Sequence, residues 1–145
     1  MSTDVRVEVA IARPRAEVAA FMFDPRNDAA WTTGVIEARP RQEGPLRAGA
    51  RVERVAKFLG RTFAYEYTVT AASGDDFVEM SVNEPFPMHI RYELADAPDG
   101  GTVARIHATG EARGFFRVAA PLLNPMVRRS ITADLKQLKE CVERR

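Results

Sequence analysis

The period of the hydrophobic pattern changes once along this chain, and that change limits the fold more than any other feature. Up to Gly114, apolar residues alternate with polar ones in short runs separated by turn residues, which is typical of half-buried β-strands. Beyond it, apolar residues recur at four, three and four positions, the spacing of one helix face, at Ile131, Leu135, Leu138 and Val142. The pattern predicts a sheet followed by one long C-terminal helix.

The turn residues divide the first part of the chain into seven strands and two short helical segments. The first strand is predicted over Asp4 to Ala12, a short helix over residues 14–23 and a helical turn over residues 27–31. Six more strands follow between Val35 and Gly114, and their connections are too short for parallel crossovers. We therefore predict an α+β fold, in which a seven-stranded curved antiparallel sheet wraps around the C-terminal helix, in the order β-α-α-β-β-β-β-β-β-α.

The sequence is consistent with two start positions for the long helix. Pro125 would cost a hydrogen bond inside a helix, so the regular helix begins near residue 121, or it begins at about residue 117 and bends.

The turns also predict which residues face each other across three hairpins. They place Ile90 opposite Ala108, Arg54 opposite Tyr65, and Val69 opposite Val78. In each hairpin one face is then apolar, with Arg54 as the exception. The strand opposite the large apolar side chains carries small residues, at Ala104, Ala108 and Gly110. These either leave room for a ligand or belong to a fully packed core.

Composition excludes several classes of protein. The 21 basic and 20 acidic residues give a net charge of +1, so we expect no nucleic-acid partner. Cys141 is the only cysteine, which excludes an internal disulfide. Charged residues interrupt the first 20 positions, unlike a secretory signal, and no stretch predicts stable membrane insertion, so we expect a cytoplasmic protein. At 145 residues, the chain matches one domain over residues 1–145; composition does not decide between monomer and homodimer.

Segments at both ends of the chain resemble one known family. The segments near the N-terminus are Val9 to Pro14, Val18 to Asn27 and the lone Trp31. Those near the C-terminus are Gly114 to Arg117, Ala120 to Leu123, Met126 to Arg129 and Asp134 to Lys136. Together they are similar to the polyketide cyclase/dehydrase branch of the START-like (SRPBCC, helix-grip) superfamily. The resemblance covers essentially the whole chain and implies a helix-grip fold, but it supplies no catalytic signature.

Polar side chains on the predicted faces suggest a binding site rather than a metal or cofactor site. His89 and His107 fall on the polar face beside arginines, so we predict no metal site, and no sequence motif indicates a cofactor. Arg54 either contacts a ligand, reaches the rim or pairs with an acid. Trp31 either covers the pocket mouth or fills the core. The predicted ligand-binding residues are Trp31, Arg54, Tyr65, Tyr67, Met80, Phe86, Met88, Ile90, Tyr92, Ile106, Leu122, Leu123 and Met126.

Three functions remain open at this point. The first is the binding or transport of a hydrophobic small molecule, such as a lipid, polyketide or aromatic metabolite, between the sheet and the helix. The second is a cyclase or dehydratase that uses Arg54 with a tyrosine. The third is a protein-interaction or stress-related module with no ligand, which a filled interior would favour.

Overall fold

The computed structural model describes residues 2–58, 60–83, 86–111 and 120–145. The strands are β1 Ser2–Ile11, β2 Val35–Pro40, β3 Arg51–Phe58, β4 Arg61–Ser73, β5 Phe77–Val82, β6 Met88–Asp96 and β7 Thr102–Glu111. The α-helices are α1 Arg15–Met22, α2 Asp28–Trp31 and α3 Ala120–Glu143, and a 3₁₀ turn at Pro25–Asn27 precedes α2.

All seven strands form one antiparallel sheet in the order β1-β7-β6-β5-β4-β3-β2. The sheet is curved, and α3 packs against β1, α1 and α2. The helix buries the predicted stripe, since Leu135, Leu138 and Val142 are at most 2% exposed. The predicted α+β architecture and helix-grip fold are confirmed. No helix in the described ranges is long and apolar enough to cross a membrane.

Two of the predicted hairpin registers are confirmed. Ile90 lies opposite Ala108 in the β6–β7 pair, and Arg54 lies opposite Tyr65 in the β3–β4 pair. Side chains alternate across a strand, so these registers fix which residues of four strands point toward α3.

The predicted register of the β4–β5 hairpin is wrong by two residues. Val69 lies opposite Met80 and not Val78, because the turn contains three residues, 74–76. A turn of this length would reverse the faces of β4, but Thr70 forms a bulge that restores them. Tyr67 and Val69 therefore still point inward, as predicted, and both are buried.

The helix α3 contains Pro125 within its described length. Of the two predicted starts of this helix, the one near residue 117 lies outside the described residues. The segment Gly114 to Arg117, which resembles the family, and the predicted turn at residues 84–85 also lie outside them. The described helix begins at Ala120, one residue before the other predicted start.

Gly110 does not leave the room that its small size suggested. A Cβ atom on Gly110 would lie 2.5 Å from the carbonyl oxygen of Pro87 and 2.8 Å from Cγ of Met88. The chain before β6 therefore fills the space beside this glycine. Ala104 is fully buried, whereas Ala108 borders a cavity.

The outer face of the sheet carries a row of ion pairs across neighbouring strands. Arg105 contacts Glu8 and Glu93, and Arg91 contacts Glu93 and Glu79. His89 and His107 lie on this face, as predicted. His107 Nε2 is 2.8 Å from Asp4 Oδ1, and His89 Nε2 is 3.7 Å from Glu79 Oε2.

Candidate functional site

The inward-facing Arg54 forms an ion pair beneath the sheet. Its side chain is 6% exposed, and its Nε and Nη2 donate to one oxygen of Asp28, Oδ2, over 3.2 and 2.8 Å. Asp28 is completely buried. Burial, the largest single influence, lowers the pKa of Arg54, but the charge of Asp28 and the smaller effects of the three tyrosines together outweigh it, and the net shift is upward. The guanidinium is therefore a permanent cation inside the molecule.

The short helix α2 places Asp28 against β3. Arg54 stands opposite Ala38 in the edge pair of strands, and Asp28 is the first residue of α2, which leads into β2. The hydroxyl and backbone N–H of Thr32 donate to the Asp28 carbonyl oxygen and end the helix. Trp31, on the same helix, is fully buried and meets Tyr92 edge-on, with ring centroids 5.3 Å apart. Trp31 therefore fills the core and is not a cover over the pocket.

Three tyrosines surround the Arg54 guanidinium. Tyr67 donates to Asp28 Oδ2 over 2.8 Å, and its ring lies 4.5 Å from the Arg54 carbon Cζ, a cation–π contact. Arg54 Nη1 donates to the Tyr65 hydroxyl over 3.4 Å, and the charge of Arg54 also acts on Tyr92, where it opposes the effect of burial on the pKa. Burial raises the pKa of Tyr67 and Tyr92 well above the ordinary value, so both stay protonated at neutral pH.

A cavity of about 150 Å³ lies between the sheet and α3, beside this network. Its wall is largely apolar and comes from β3, β4, β6, β7, α3 and the segment after α2. The residues that line it are Thr32, Thr33, Val35, Arg54, Ala56, Lys57, Phe63, Tyr65, Phe86, Met88, Ile90, Tyr92, Ile106, Ala108, Val127, Ser130, Ile131 and Asp134. An engineered cavity of similar volume in another protein takes up benzene, so this space matches one aromatic ring.

Asp134 supplies an acid to the cavity wall from α3. Its Oδ1 accepts hydrogen bonds from the backbone N–H and the hydroxyl of Thr33, each 2.6 Å long. Burial raises the pKa of Asp134 to about 6, although the two bonds from Thr33 and the charge of Arg54 lower it. Among the described residues no cation lies within ion-pair distance of this carboxylate. Asp134 is therefore a carboxyl group that titrates close to neutral pH.

The structure brings seven of the predicted ligand-binding residues together around the cavity: Arg54, Tyr65, Phe86, Met88, Ile90, Tyr92 and Ile106. Trp31, Tyr67 and Met80 are fully buried and lie outside its lining. Their assignment to ligand contact stays a prediction.

The predicted cavity face of α3 is wrong in part. Leu122 is 60% exposed and points away from the cavity, and Met126 is partly exposed and does not line it. The inward stripe runs instead through Leu123, Val127, Ile131 and Asp134. Each residue of a helix is rotated about 100° from the next, so Leu122 and Met126 fall beside this stripe. Leu123 is buried against Phe86 at the border of the cavity.

Both acids of the site lie outside the set of residues predicted to bind a ligand. Asp134 had a usable signal, because it follows Val127 and Ile131 at helical spacing and so interrupts an apolar stripe. Asp28 had a weaker one: it precedes Trp31 by three residues and shares its face of a short helix. The partner of Arg54 was expected to be a ligand, the solvent or an acid, and the acid is Asp28.

In the described part of the chain, no three histidine, cysteine or acidic side chains are grouped as a metal site would require. The prediction that the two histidines face away from the pocket is confirmed by their contacts with Glu79 and Asp4 on the outer face.

Comparisons with known proteins agree with this architecture. A family model described as "Polyketide cyclase / dehydrase and lipid transport" matches residues 2–143. No curated protein sequence matches the chain significantly.

Solved structures share the fold at low sequence identity. The aromatase/cyclase Zhui from Streptomyces sp. R1128 superposes with a TM-score of 0.78 at 18% identity, covering 100% of this chain and 96% of the other. A START superfamily protein from Mycobacterium smegmatis gives 0.79 at 11% identity, covering 97% of both chains. A protein from Thermus thermophilus gives 0.77 at 19% identity, covering 96% of both chains.

Separating the buried pair should destabilise the protein strongly. We expect Arg54→Met to lower the free energy of unfolding by ~3–5 kcal/mol, because Asp28 is left buried without its cation. The double variant Arg54→Met/Asp28→Leu should lose much less than the sum of the two single changes. Urea unfolding of the four proteins measures this coupling. Arg39→Met, which removes an exposed pair with Glu37, is the control and should cost less than ~1 kcal/mol. Additive losses would contradict the pair's role.

Replacing Asp134 should stabilise the protein only where its carboxylate is charged. A raised pKa means that the folded state holds the proton more tightly than the unfolded chain does. The destabilisation of the folded state by Asp134 therefore increases as the pH rises from about 4 to about 6, and it stays constant at higher pH. We expect Asp134→Asn to add ~1–2 kcal/mol at pH 8 and nothing at pH 4. Denaturant unfolding at both pH values checks this; an equal effect at both would contradict it.

Proposed function

Because the chain belongs to the polyketide cyclase/dehydrase and lipid transport family, we propose that it binds a hydrophobic small molecule in the cavity beside Arg54. The observation that supports this most directly is an apolar space bordered at one end by polar groups whose positions are fixed. Ligand sites have this character, with apolar walls and a few polar groups that orient the ligand.

The volume favours a compact ligand. About 150 Å³ accommodates one ring, whereas a long acyl chain needs a longer space. Of the hydrophobic ligands considered from the sequence, an aromatic or polyketide-derived ring therefore fits better than an intact lipid. The cavity also disfavours a protein-interaction or stress-related module with no ligand, because a filled core is expected for such a module.

The polar end gives the ligand a direction. Tyr65 and Tyr92 line the cavity and lie beside Arg54, so a ring oxygen at this end meets hydroxyl groups that are already held in place. Elsewhere in the lining, Phe63, Phe86 and Met88 belong to one apolar cluster and supply apolar contact. Burial of the roughly 150 Å² of apolar surface of one ring corresponds to about 4 kcal/mol, which implies dissociation constants near a millimolar.

Filling the cavity should abolish binding without unfolding the protein. Ala108 borders the space from β7, so we expect Ala108→Leu to occupy it and to weaken the binding of 4-fluorotoluene by more than about tenfold. Ligand-observed fluorine NMR measures the affinity. Ala10→Leu adds the same side chain at an exposed position of β1 and should leave it unchanged. Wild-type protein that binds no apolar ring at millimolar concentration would refute the proposed function.

A cyclase or dehydratase is the second candidate, and Asp134 is the observation that favours it. General acid–base catalysis works best with a pKa close to the operating pH, and the pKa of Asp134 is about 6. In the loss of water from a β-hydroxyketone, Asp134 would take the proton of the α-carbon. It would then return that proton to the departing hydroxyl, so that an enone and one water form. Tyr65, Tyr92 and Arg54 would stabilise the charge on the carbonyl oxygen.

Dehydration of 4-hydroxy-4-phenylbutan-2-one, followed by the absorbance of the enone, tests this second candidate. We expect turnover above the rate in buffer, and Asp134→Asn should reduce it by a factor of roughly 100 or more. Glu140→Gln, an acid of the same helix outside the cavity lining, is the matched control and should retain the wild-type rate. Wild-type protein that leaves the rate in buffer unchanged would remove the enzymatic candidate and leave the binding function in place.

A further inference from the structure

We propose that the cavity selects a neutral ring that donates a hydrogen bond, such as a phenol, and rejects the corresponding carboxylate, because Asp134 is an acid on its wall with no ion-pair partner among the described residues. This inference rests on the proposed function and specifies its ligand class. It is the reverse of what Arg54 alone suggests, since an inward-facing arginine normally predicts an anionic ligand.

The charge of Arg54 is already compensated. Two of its nitrogens are held by Asp28 Oδ2, and Asp28 is completely buried behind it. A ligand carboxylate beside Arg54 would place a second anion near Asp28 and could not displace it without leaving a buried charge unpaired. The remaining Arg54 hydrogen bond among the described residues goes to the Tyr65 hydroxyl, and a hydroxyl serves a neutral oxygen as well as an anion.

Asp134 has no ion-pair partner among the described residues, and the charge of Arg54 acts on it only from beyond ion-pair distance. Thr33 occupies its Oδ1 with two neutral hydrogen bonds, and Oδ2 accepts none from the described residues. An ionised carboxylate attracts a hydrogen-bond donor and repels a second carboxylate. If the ligand keeps its charge, two carboxylates about 5 Å apart repel each other by about 3 kcal/mol at an effective dielectric constant of 20. Repulsion of that order corresponds to more than about a hundredfold in affinity.

The charged groups that face the cavity come from two elements. The strand β3 supplies Arg54 and Lys57, and α3 supplies Asp134; β4, β6 and the segment after α2 supply neutral hydroxyls. Lys57 is exposed to solvent, where water and salt screen its charge. The buried charges of Arg54 and Asp28 cancel, so the partly buried Asp134 leaves one excess negative charge at the cavity when it is ionised.

The preference should depend on pH in a defined direction. With a pKa of about 6, Asp134 is charged at pH 8 and largely neutral at pH 5. A ring carboxylate is therefore rejected most strongly at pH 8, and its affinity should recover as the pH falls through about 6. The phenol should lose only the charge assistance of its hydrogen bond over the same range.

Three matched ring probes test the inference on the whole chain: 4-fluorophenol, 4-fluorobenzoate and 4-fluorotoluene, each titrated by fluorine NMR at pH 8 and pH 5. For wild-type protein at pH 8 we expect the phenol to bind at least about tenfold more tightly than the benzoate. Asp134→Asn, which keeps an oxygen for Thr33, should raise the benzoate affinity by at least about tenfold and leave 4-fluorotoluene unchanged. Glu140→Gln removes the same charge from α3 outside the cavity and should alter none of the three affinities.

The outcomes separate this inference from the function on which it rests. If benzoate binds wild-type protein as tightly as the phenol, or if Asp134→Asn does not improve it, the assigned role of Asp134 is wrong while cavity binding stands. If the toluene also fails to bind, the proposed function itself fails.

Discussion

The buried contact between Arg54 and Asp28 is the interaction on which the rest of the site depends. It joins the second strand of the β2–β3 edge pair to a helix of only four residues, which could not hold its position through its own hydrogen bonds. Tyr67 completes the contact from the neighbouring strand. Such a pair costs desolvation energy and is weak evidence of added stability. Its consequence is geometric: α2 is fixed above the sheet, and the chain that follows it forms one side of the cavity.

That geometry produces a cavity with two kinds of wall. Apolar side chains from five strands and α3 supply the contact area, and the tyrosines around Arg54 supply oriented hydroxyls. Asp134 lies across from them on α3 and connects the helix to Thr33. Within the described part of the chain, Asp134 is therefore the partly buried charged group of the cavity wall that has no ion-pair partner. If the proposed ligand binding is correct, recognition depends more on which charge is already neutralised than on which charged residue is present.

The sequence predicted features that depend on local alternation, and missed those that depend on distant partners. The faces of β3, β4, β6 and β7 follow from residue parity, so Arg54, Tyr65, Ile90 and Tyr92 were placed correctly. The inward side of α3 was assigned wrongly at Leu122, because its neighbour Leu123 is equally apolar and spacing alone does not fix the phase at a helix start. The partnership of Asp28 with Arg54 links residues 26 apart through tertiary packing, which no local pattern records.

The hairpin of β4 and β5 shows how the length of this chain is constrained during evolution. Its three-residue turn and the extra residue at Thr70 each reverse the side-chain alternation, and together they cancel. Deleting one residue at only one of these places would exchange the inward-facing and outward-facing side chains along part of β4. A change of chain length in this hairpin that keeps the inward face of β4 would therefore need two compensating changes, one in the turn and one in the strand.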